Sequence, residues 1–253
     1  MSNCEYKDIV SKLYDYSPFF SKYICNNSSV IGFYLNEAIH AKKILEFGSA
    51  TGIFTIPLSK KGHYIDAIEI SDDMIKIMKK KIKKSNASNI RIHKIDALNF
   101  KAFEQYEMVI LPDSLLLAID SKDNQKKLLE IAQRALKKGG KLLVDFFPPN
   151  CELIDAGIKK SFARAVDEEK KIYIVEREEC WNSKTQKTEL KYVHKLIDNE
   201  FNIVQQYESY IKYNYLHLSE VVQYLEALNF KIENCTRGIT DIYDNYLVTA
   251  IKR

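Results

Sequence analysis

The sequence has few of the features that would place it outside the soluble globular classes. Its apolar runs are short: Leu115 to Ile119 is typical of the longest and falls far below the roughly 18 residues that a helical membrane span needs, so no membrane partner is expected. The opening MSNCEYKD sets Glu5 and Asp8 where a secretion signal keeps an apolar core, so export by that route is not expected. The five cysteines, Cys4, Cys25, Cys151, Cys180 and Cys235, are odd in number and include no C-x-x-C pair, which argues against both a disulfide framework and a zinc site. Five reduced thiols in a cytoplasmic chain is the reading that remains. Charge of one sign is also lacking, since 38 basic against 34 acidic residues leave only +4, with the lysines spread along the chain. No nucleic-acid partner follows from that balance, and the lysines of KIMKKKIKKSN read as the solvated face of an amphipathic helix.

Proline is scarce and segregated, with all five residues in the first 149 positions, and five of the eight glycines lie between Gly48 and Gly140. The composition therefore changes near residue 150. Before it, short apolar runs alternate with helical segments: Lys43 to Phe47, Tyr64 to Ile70, Ile90 to Ile95, Met108 to Leu111 and Lys141 to Phe147 as strands, with Phe54 to Lys61, Asp72 to Lys84 and Asn124 to Lys137 as helices. That alternation predicts an α/β fold with a doubly wound, Rossmann-like sheet. Beyond it, Ile172 to Trp181, Thr188 to Ile197 and Phe201 to Tyr213 are rich in β-branched and aromatic residues and read as an inserted antiparallel meander. A helix at Leu218 to Leu228 and strands at Lys231 to Thr236 and Tyr243 to Ile251 follow. The expected division is a core of 1–150 and 218–253, with 151–217 as an inserted segment that serves as a substrate lid or a dimer contact.

The central motif is Ile44-Leu45-Glu46-Phe47-Gly48-Ser49-Ala50-Thr51-Gly52-Ile53-Phe54, a strand running through small residues into a helix. Small residues let a ligand approach the backbone, and the first N–H groups of the helix offer donors. Ala50 and Ile53 occupy the second and third glycine positions of a dinucleotide fingerprint, which disfavours a nicotinamide or flavin dinucleotide. Glu69, 21 positions after Gly48 at the end of the next strand, is placed to accept from both hydroxyls of a ribose. Asp96-Ala97 at the following strand end suits adenine, the carboxylate taking the exocyclic amine and the backbone serving a ring nitrogen. An adenosine ligand in the crevice of an open sheet is the joint reading.

On these residues the stretch from Ile44 to about Pro149 resembles the class I S-adenosylmethionine-dependent methyltransferases, whose first motif is D/E-x-G-x-G-x-G. Glu46, Gly48 and Gly52 match it, Ala50 stands at its middle glycine, Glu69 falls on the ribose acid, and Asp96-Ala97 on the adenine pair. Leu136-Lys137-Lys138-Gly139-Gly140 resembles the turn before the fifth strand, where the glycines are expected to end a helix. The inserted meander is similar to that of small-molecule N-methyltransferases, including sugar-amine and glycine-type enzymes, and Tyr14-Asp15-Tyr16 resembles the segment that folds over the cofactor in that group. The resemblance implies S-adenosylmethionine as cofactor, S-adenosylhomocysteine as product, and contacts from Tyr14, Ile70 and Pro112 besides the motif residues.

For the acceptor, Asp113 after the fourth strand is a candidate to orient an amine or take its proton; the alternative is a helix N-cap before Leu115. His217 is a second candidate base, with an exposed or capping histidine as the alternative. Tyr16, Tyr213 and Tyr215 are candidates to line the acceptor pocket; packing of the sheet or of a dimer interface is the alternative for Tyr213 and Tyr215 and the expected role of Trp181. Phe146-Phe147-Pro148-Pro149 is similar to a nucleobase-methylation motif but follows the fifth strand instead of the fourth, so a DNA base is not expected. Asp145, Glu152 and Asp155 are joined by no histidine, and no metal is expected. A small-molecule amine is the first reading of the acceptor; a hydroxyl or peptide terminus, or a non-catalytic cofactor-binding scaffold, are the alternatives. Replacing Glu69, read as an acid at a solvent-facing strand end, by Ala is expected to abolish S-adenosylmethionine binding in calorimetric titration; unchanged affinity would remove the ribose assignment.

Overall fold

Strands of five or six residues, apolar on both faces, build the centre of the molecule, as a sheet covered on each side requires. The computed structural model describes residues 8–147, 150–239 and 244–253. The N-terminal segment carries α1 (Asp8–Leu13), α2 (Lys22–Cys25) and α3 (Ser28–Glu37). The core then runs through β1 (Lys43–Phe47), α4 (Thr55–Lys60), β2 (Tyr64–Glu69), α5 (Asp72–Ser85), β3 (Ile90–Lys94), β4 (Tyr106–Leu111), α6 (Leu115–Ala118), α7 (Lys122–Ala135) and β5 (Leu136–Phe146). After α8 (Cys151–Ala156) come β6 (Ile158–Val166), β7 (Ile172–Asn182), β8 (Lys187–Ile197) and β9 (Ile203–Asn214). The chain closes with α9 (Leu218–Ala227), β10 (Phe230–Arg237) and β11 (Tyr246–Lys252).

The seven-stranded sheet has the order β10-β11-β5-β4-β1-β2-β3. β1 to β5 are parallel where they pair, and β11 joins β5 antiparallel. One face packs Ile44, Ile65, Met108 and Ile110 against the N-terminal segment, α4 and α5; the other packs Leu45, Phe47, Val109 and Leu111 against α7 and α9. The strand order reverses between β1 and β4, and this switch point opens a crevice at the carboxyl ends of the strands.

The second sheet is antiparallel with order β6-β7-β8-β9. Three of its strands match the expected meander; the fourth, β6, is an addition. Its sequence, IKKSFARAV, alternates exposed and half-buried positions and buries only Ala165, which is why it carried little apolar signal. The expected last strand began at Tyr243, which lies outside the described residues, as do Pro148 and Pro149. Among the described residues no helix is long and apolar enough to cross a membrane, and the four cysteines are free. The lysine face of α5 meets the second sheet: Lys80 lies 2.7 Å from Glu168, in the turn between β6 and β7.

The role expected of Gly139-Gly140 is corrected. The helix α7 ends at Ala135, and Leu136 is already extended, so the glycines lie inside β5 at a bulge where the register against β4 shifts between Tyr106 and Met108. A Cβ on Gly140 would sit 2.8 Å from the Lys137 carbonyl oxygen and 3.2 Å from that of Tyr106. Neither backbone atom can swing aside. Gly140→Ala is therefore expected to cost about 1–3 kcal/mol in urea denaturation, and an unchanged midpoint would refute the close-approach account.

Candidate functional site

At the end of β1 the chain turns through three residues with positive φ: Gly48 at 64°, Ala50 at 47° and Gly52 at 83°. Ala50 is the costly member, because an L side chain in this region loses about 1 kcal/mol or more. The turn is held from the next strand: Ser49 N–H donates to the Ile68 carbonyl at 3.0 Å, and Ala50 N–H donates to Glu69 Oε2 at 2.9 Å. Glu69 Oε1 accepts from the N–H groups of Ile70 and Ser71, both at 2.8 Å. The carboxylate is only 8% exposed, so the solvent-facing strand end expected from sequence is corrected to a buried acid that organises two loops. Burial raises its pKa while the three backbone donors oppose the rise.

Gly48, Ala50, Glu69, Ile70, Ser71, Met74, Asp96, Ala97, Pro112, Asp113 and Leu115 line one cleft, together with Tyr14 and Tyr213. Asp96 Oδ1 accepts the Leu98 N–H at 2.9 Å and so caps a short 3-10 turn, Ala97–Asn99, while also forming cleft wall. The donor set fits an adenosine sulfonium: an acid at the end of β2, an acid and a backbone edge at the end of β3, and the apolar Ile70, Met74 and Ile95 for a purine face.

Asp113 lies where this cleft meets a second cavity. It and Ser114 both have positive φ, 52° and 60°. Ser114, not Asp113, is the residue preceding α6, and the Asp113 side chain makes no cap; its Oδ2 accepts from Tyr14 Oη and Ser21 Oγ, each at 3.0 Å. Burial and the neighbouring Asp113 charge raise the Tyr14 pKa well above its ordinary value, so the phenol remains a donor. The N-terminal segment is fastened beside the motif turn as well, with Asp15 Oδ1 accepting from Thr51 Oγ1 at 2.6 Å and Lys81 Nζ donating to Asp15 Oδ2 at 2.7 Å.

The second cavity lies beneath the antiparallel sheet. Arg177, Glu179, Thr188, Leu190, Tyr192 and Tyr213 form its roof, and Tyr14, Phe19, Phe20, Asp113, Phe147 and Tyr215 complete it. Phe147 packs edge-on to Tyr213 and Tyr215 at 5.1 and 5.6 Å, and Phe20 lies 5.0 Å from Tyr192. The walls are aromatic, but the roof is polar and charged.

The structure thus gathers Tyr14, Gly48, Ala50, Glu69, Ile70, Asp96, Ala97, Pro112, Asp113 and Tyr213 in the cleft, and Tyr215 in the adjoining cavity. Four expected residues lie elsewhere. Glu46 is buried under the turn, accepting the Thr55 hydroxyl at 2.6 Å, and Gly52 lines a separate concavity with Tyr16. Tyr16 therefore does not line the cavity beneath the antiparallel sheet. His217 is exposed at the start of α9, where its N–H donates to Glu220 Oε2 at 2.8 Å, and it lines neither cavity. Trp181 packs 5.4 Å from Tyr215. Sequence reasoning missed Ser21, Arg177, Glu179, Thr188 and Tyr192. The signal for two of them was present: Arg177 and Glu179 share the strand face of the buried Tyr173 and Val175, an odd place for charges without a purpose. Among the described residues, no group of three or more His, Cys, Asp or Glu side chains is placed to hold a metal.

Residues 44–140 match the family model described as a methyltransferase domain. With the fold and the cleft, this match places a methyltransferase domain in the chain, and the protein is an enzyme. No curated protein matches the sequence. Among solved structures, the fold is similar to a sugar N-methyltransferase from Streptoalloteichus sp ATCC 53650, with 15% identity, TM-score 0.75, and coverage of 100% of this chain and 98% of that one. It is also similar to the CcbJ methyltransferase from Streptomyces caelestis, with 15% identity, TM-score 0.74 and coverage of 100% and 99%. A third is a S-adenosylmethionine-dependent methyltransferase from Clostridium acetobutylicum ATCC 824, with 14% identity, TM-score 0.72 and coverage of 88% and 91%.

Glu46 offers a test of the buried framework. Burial is the main cause that pushes its carboxyl from the ordinary 4.5 up to about 8; the Thr55 hydroxyl opposes the shift and the Glu69 charge adds to it. A raised folded pKa means the native state holds the proton that the unfolded chain releases. The associated stability is complete below about pH 4.5 and is lost as pH rises through about 8. Urea denaturation of the wild type should therefore lose on the order of a few kcal/mol relative to Glu46→Gln between about pH 5 and pH 8. Parallel pH profiles would refute the assignment.

Proposed function

We propose that the enzyme transfers a methyl group from S-adenosylmethionine to the amine nitrogen of a small molecule held beneath the antiparallel sheet. The observation that carries this reading is the position of Asp113, whose carboxylate belongs to both cavities and is aimed by two hydroxyl donors. When bound, the cofactor supplies a methyl on a sulfonium whose departure leaves a neutral thioether.

The residues then have distinct tasks. Glu69 receives the ribose hydroxyls, Asp96 and Ala97 the adenine edge, and the Gly48–Ala50 backbone the amino acid tail. Asp113 draws an ammonium toward the shared wall and takes one of its protons, which frees the nitrogen lone pair to bond to the methyl carbon as the carbon–sulfur bond of the sulfonium breaks. A carboxylate suits an ammonium better than an alcohol, whose acidity is far weaker than an ammonium's and asks for a stronger base. The aromatic walls exclude water, and fixing nitrogen and methyl in line supplies several kcal/mol of the barrier reduction. The segment 151–217 provides the roof and so selects the acceptor. Two structural relatives described as a sugar N-methyltransferase and an amino pentose methyltransferase support an amine over a hydroxyl or a peptide terminus.

Asp113→Asn keeps a residue type tolerant of the left-handed backbone and retains an oxygen for Tyr14 and Ser21. It should lower kcat/KM for amine methylation about 10²- to 10⁴-fold while leaving S-adenosylhomocysteine affinity within about threefold. Full activity in this variant would remove Asp113 from the reaction.

A further inference from the structure

The roof of the acceptor cavity holds charges that the methyl-transfer step does not use. Arg177 and Glu179 project from the same face of β7 and line only this cavity, not the cofactor cleft. Glu179 is 7% exposed, and Arg177 Nε lies 2.9 Å from its Oε1, yet the nitrogen lacks the alignment of a hydrogen bond. The guanidinium is held in place by its other face, 4.4 Å from the Phe19 ring centroid. Thr188, on β8 opposite Trp181, adds a buried hydroxyl that neighbours the Tyr215 phenol in the same cavity. A buried polar atom left without a partner costs about 1–3 kcal/mol, and native proteins keep few of them. One such atom on Arg177, beside a nearly buried carboxylate and the Thr188 hydroxyl in the same cavity, describes a surface built to be completed by a ligand.

We propose that Arg177, Glu179 and Thr188 determine acceptor specificity by receiving the end of the acceptor remote from its nitrogen, and that this end is an uncharged hydroxyl-bearing group. A hydroxyl donates its proton to the Glu179 carboxylate while its lone pairs accept from Arg177 or Thr188, which matches an ion pair whose two members are both incompletely bonded. A carboxylate end is disfavoured, because it meets the Glu179 charge at short range in a cavity that already contains Asp113. An alkyl end is disfavoured too, because it leaves the Arg177 and Glu179 charges desolvated and incompletely bonded. The nitrogen end is then left to Asp113 at the opposite junction with the cofactor cleft, the part of the inference that rests on the proposed function.

The test separates the two assignments by reading binding and transfer independently. Aminocyclohexanol, aminocyclohexanecarboxylate and cyclohexylamine are titrated into the complex of the full-length protein with S-adenosylhomocysteine, using wild type, Glu179→Gln and Thr188→Val. The hydroxylated amine should bind at least about tenfold more tightly than the other two, with Thr188→Val and Glu179→Gln each reducing that advantage and neither changing the affinity for cyclohexylamine. Tightest binding of the carboxylated amine, an undiminished advantage of the hydroxylated amine in Glu179→Gln, or no binding of any of the three would overturn the proposal. Thr188→Val is nearly isosteric, so it reports on the hydroxyl if the charge variant disturbs the sheet. Methyl transfer from S-adenosylmethionine is followed in parallel: binding in the expected order without transfer would overturn the amine assignment at Asp113 and leave the roof assignment standing.

Discussion

The backbone reversal at Asp113–Ser114 is the constraint on which the site depends. Two consecutive residues other than glycine adopt left-handed conformations there, at a cost of about 1 kcal/mol each, and the arrangement persists because the surroundings over-determine it. The buried Asp145 carboxylate accepts the Ser114 N–H at 2.8 Å and is itself bonded by Tyr34, from α3. Ser114 Oγ accepts the Phe147 N–H at 3.1 Å and the Asn245 side-chain amide at 3.3 Å. A single turn after β4 is thereby tied to β5, to the N-terminal helices and to the approach to β11. Without those ties Asp113 would have no fixed direction, and the cleft at the strand ends and the cavity beneath the antiparallel sheet would not share that residue.

Three separate stretches of chain converge on that carboxylate. The core supplies Asp113, the N-terminal segment supplies Tyr14 and Ser21, and the inserted sheet supplies the roof through Tyr213. The N-terminal segment and the inserted sheet also hold each other, since Lys12 pairs with the buried Asp167 at 3.0 Å and Phe20 packs on Tyr192. Loosening the N-terminal segment therefore disturbs both substrates' sites at once. This coupling explains why the N-terminal helical segment contributes to the site alongside the central strands.

Most of the core architecture was legible because each strand–helix unit carries its own apolar period and turn chemistry, from Ile44 to Gly52, from Tyr64 to the cap at Ser71, and from Tyr106 to Pro112. The gathering of Gly48, Ala50, Glu69, Asp96 and Asp113 in one cleft was legible for the same reason, since these residues sit at strand ends that the pattern locates. Less legible were features decided by tertiary packing. The strand β6 hides behind a polar alternation, the glycines at 139 and 140 serve a bulge that only the register with β4 reveals, and His217 looks suggestive until α9 places it in solvent. Glu69 read as an exposed acid because sequence does not report the backbone donors that surround it. Roof residues such as Arg177 and Glu179 are unremarkable in a charged sequence until the sheet turns them inward.

Calorimetric titration of the purified protein with S-adenosylmethionine and with S-adenosylhomocysteine tests the central claim most directly, because the whole account requires the cleft at the strand ends to be a cofactor site. Saturable binding of both, with dissociation constants on the order of micromolar, is the predicted result. Absence of binding by either ligand to the folded protein would contradict the account.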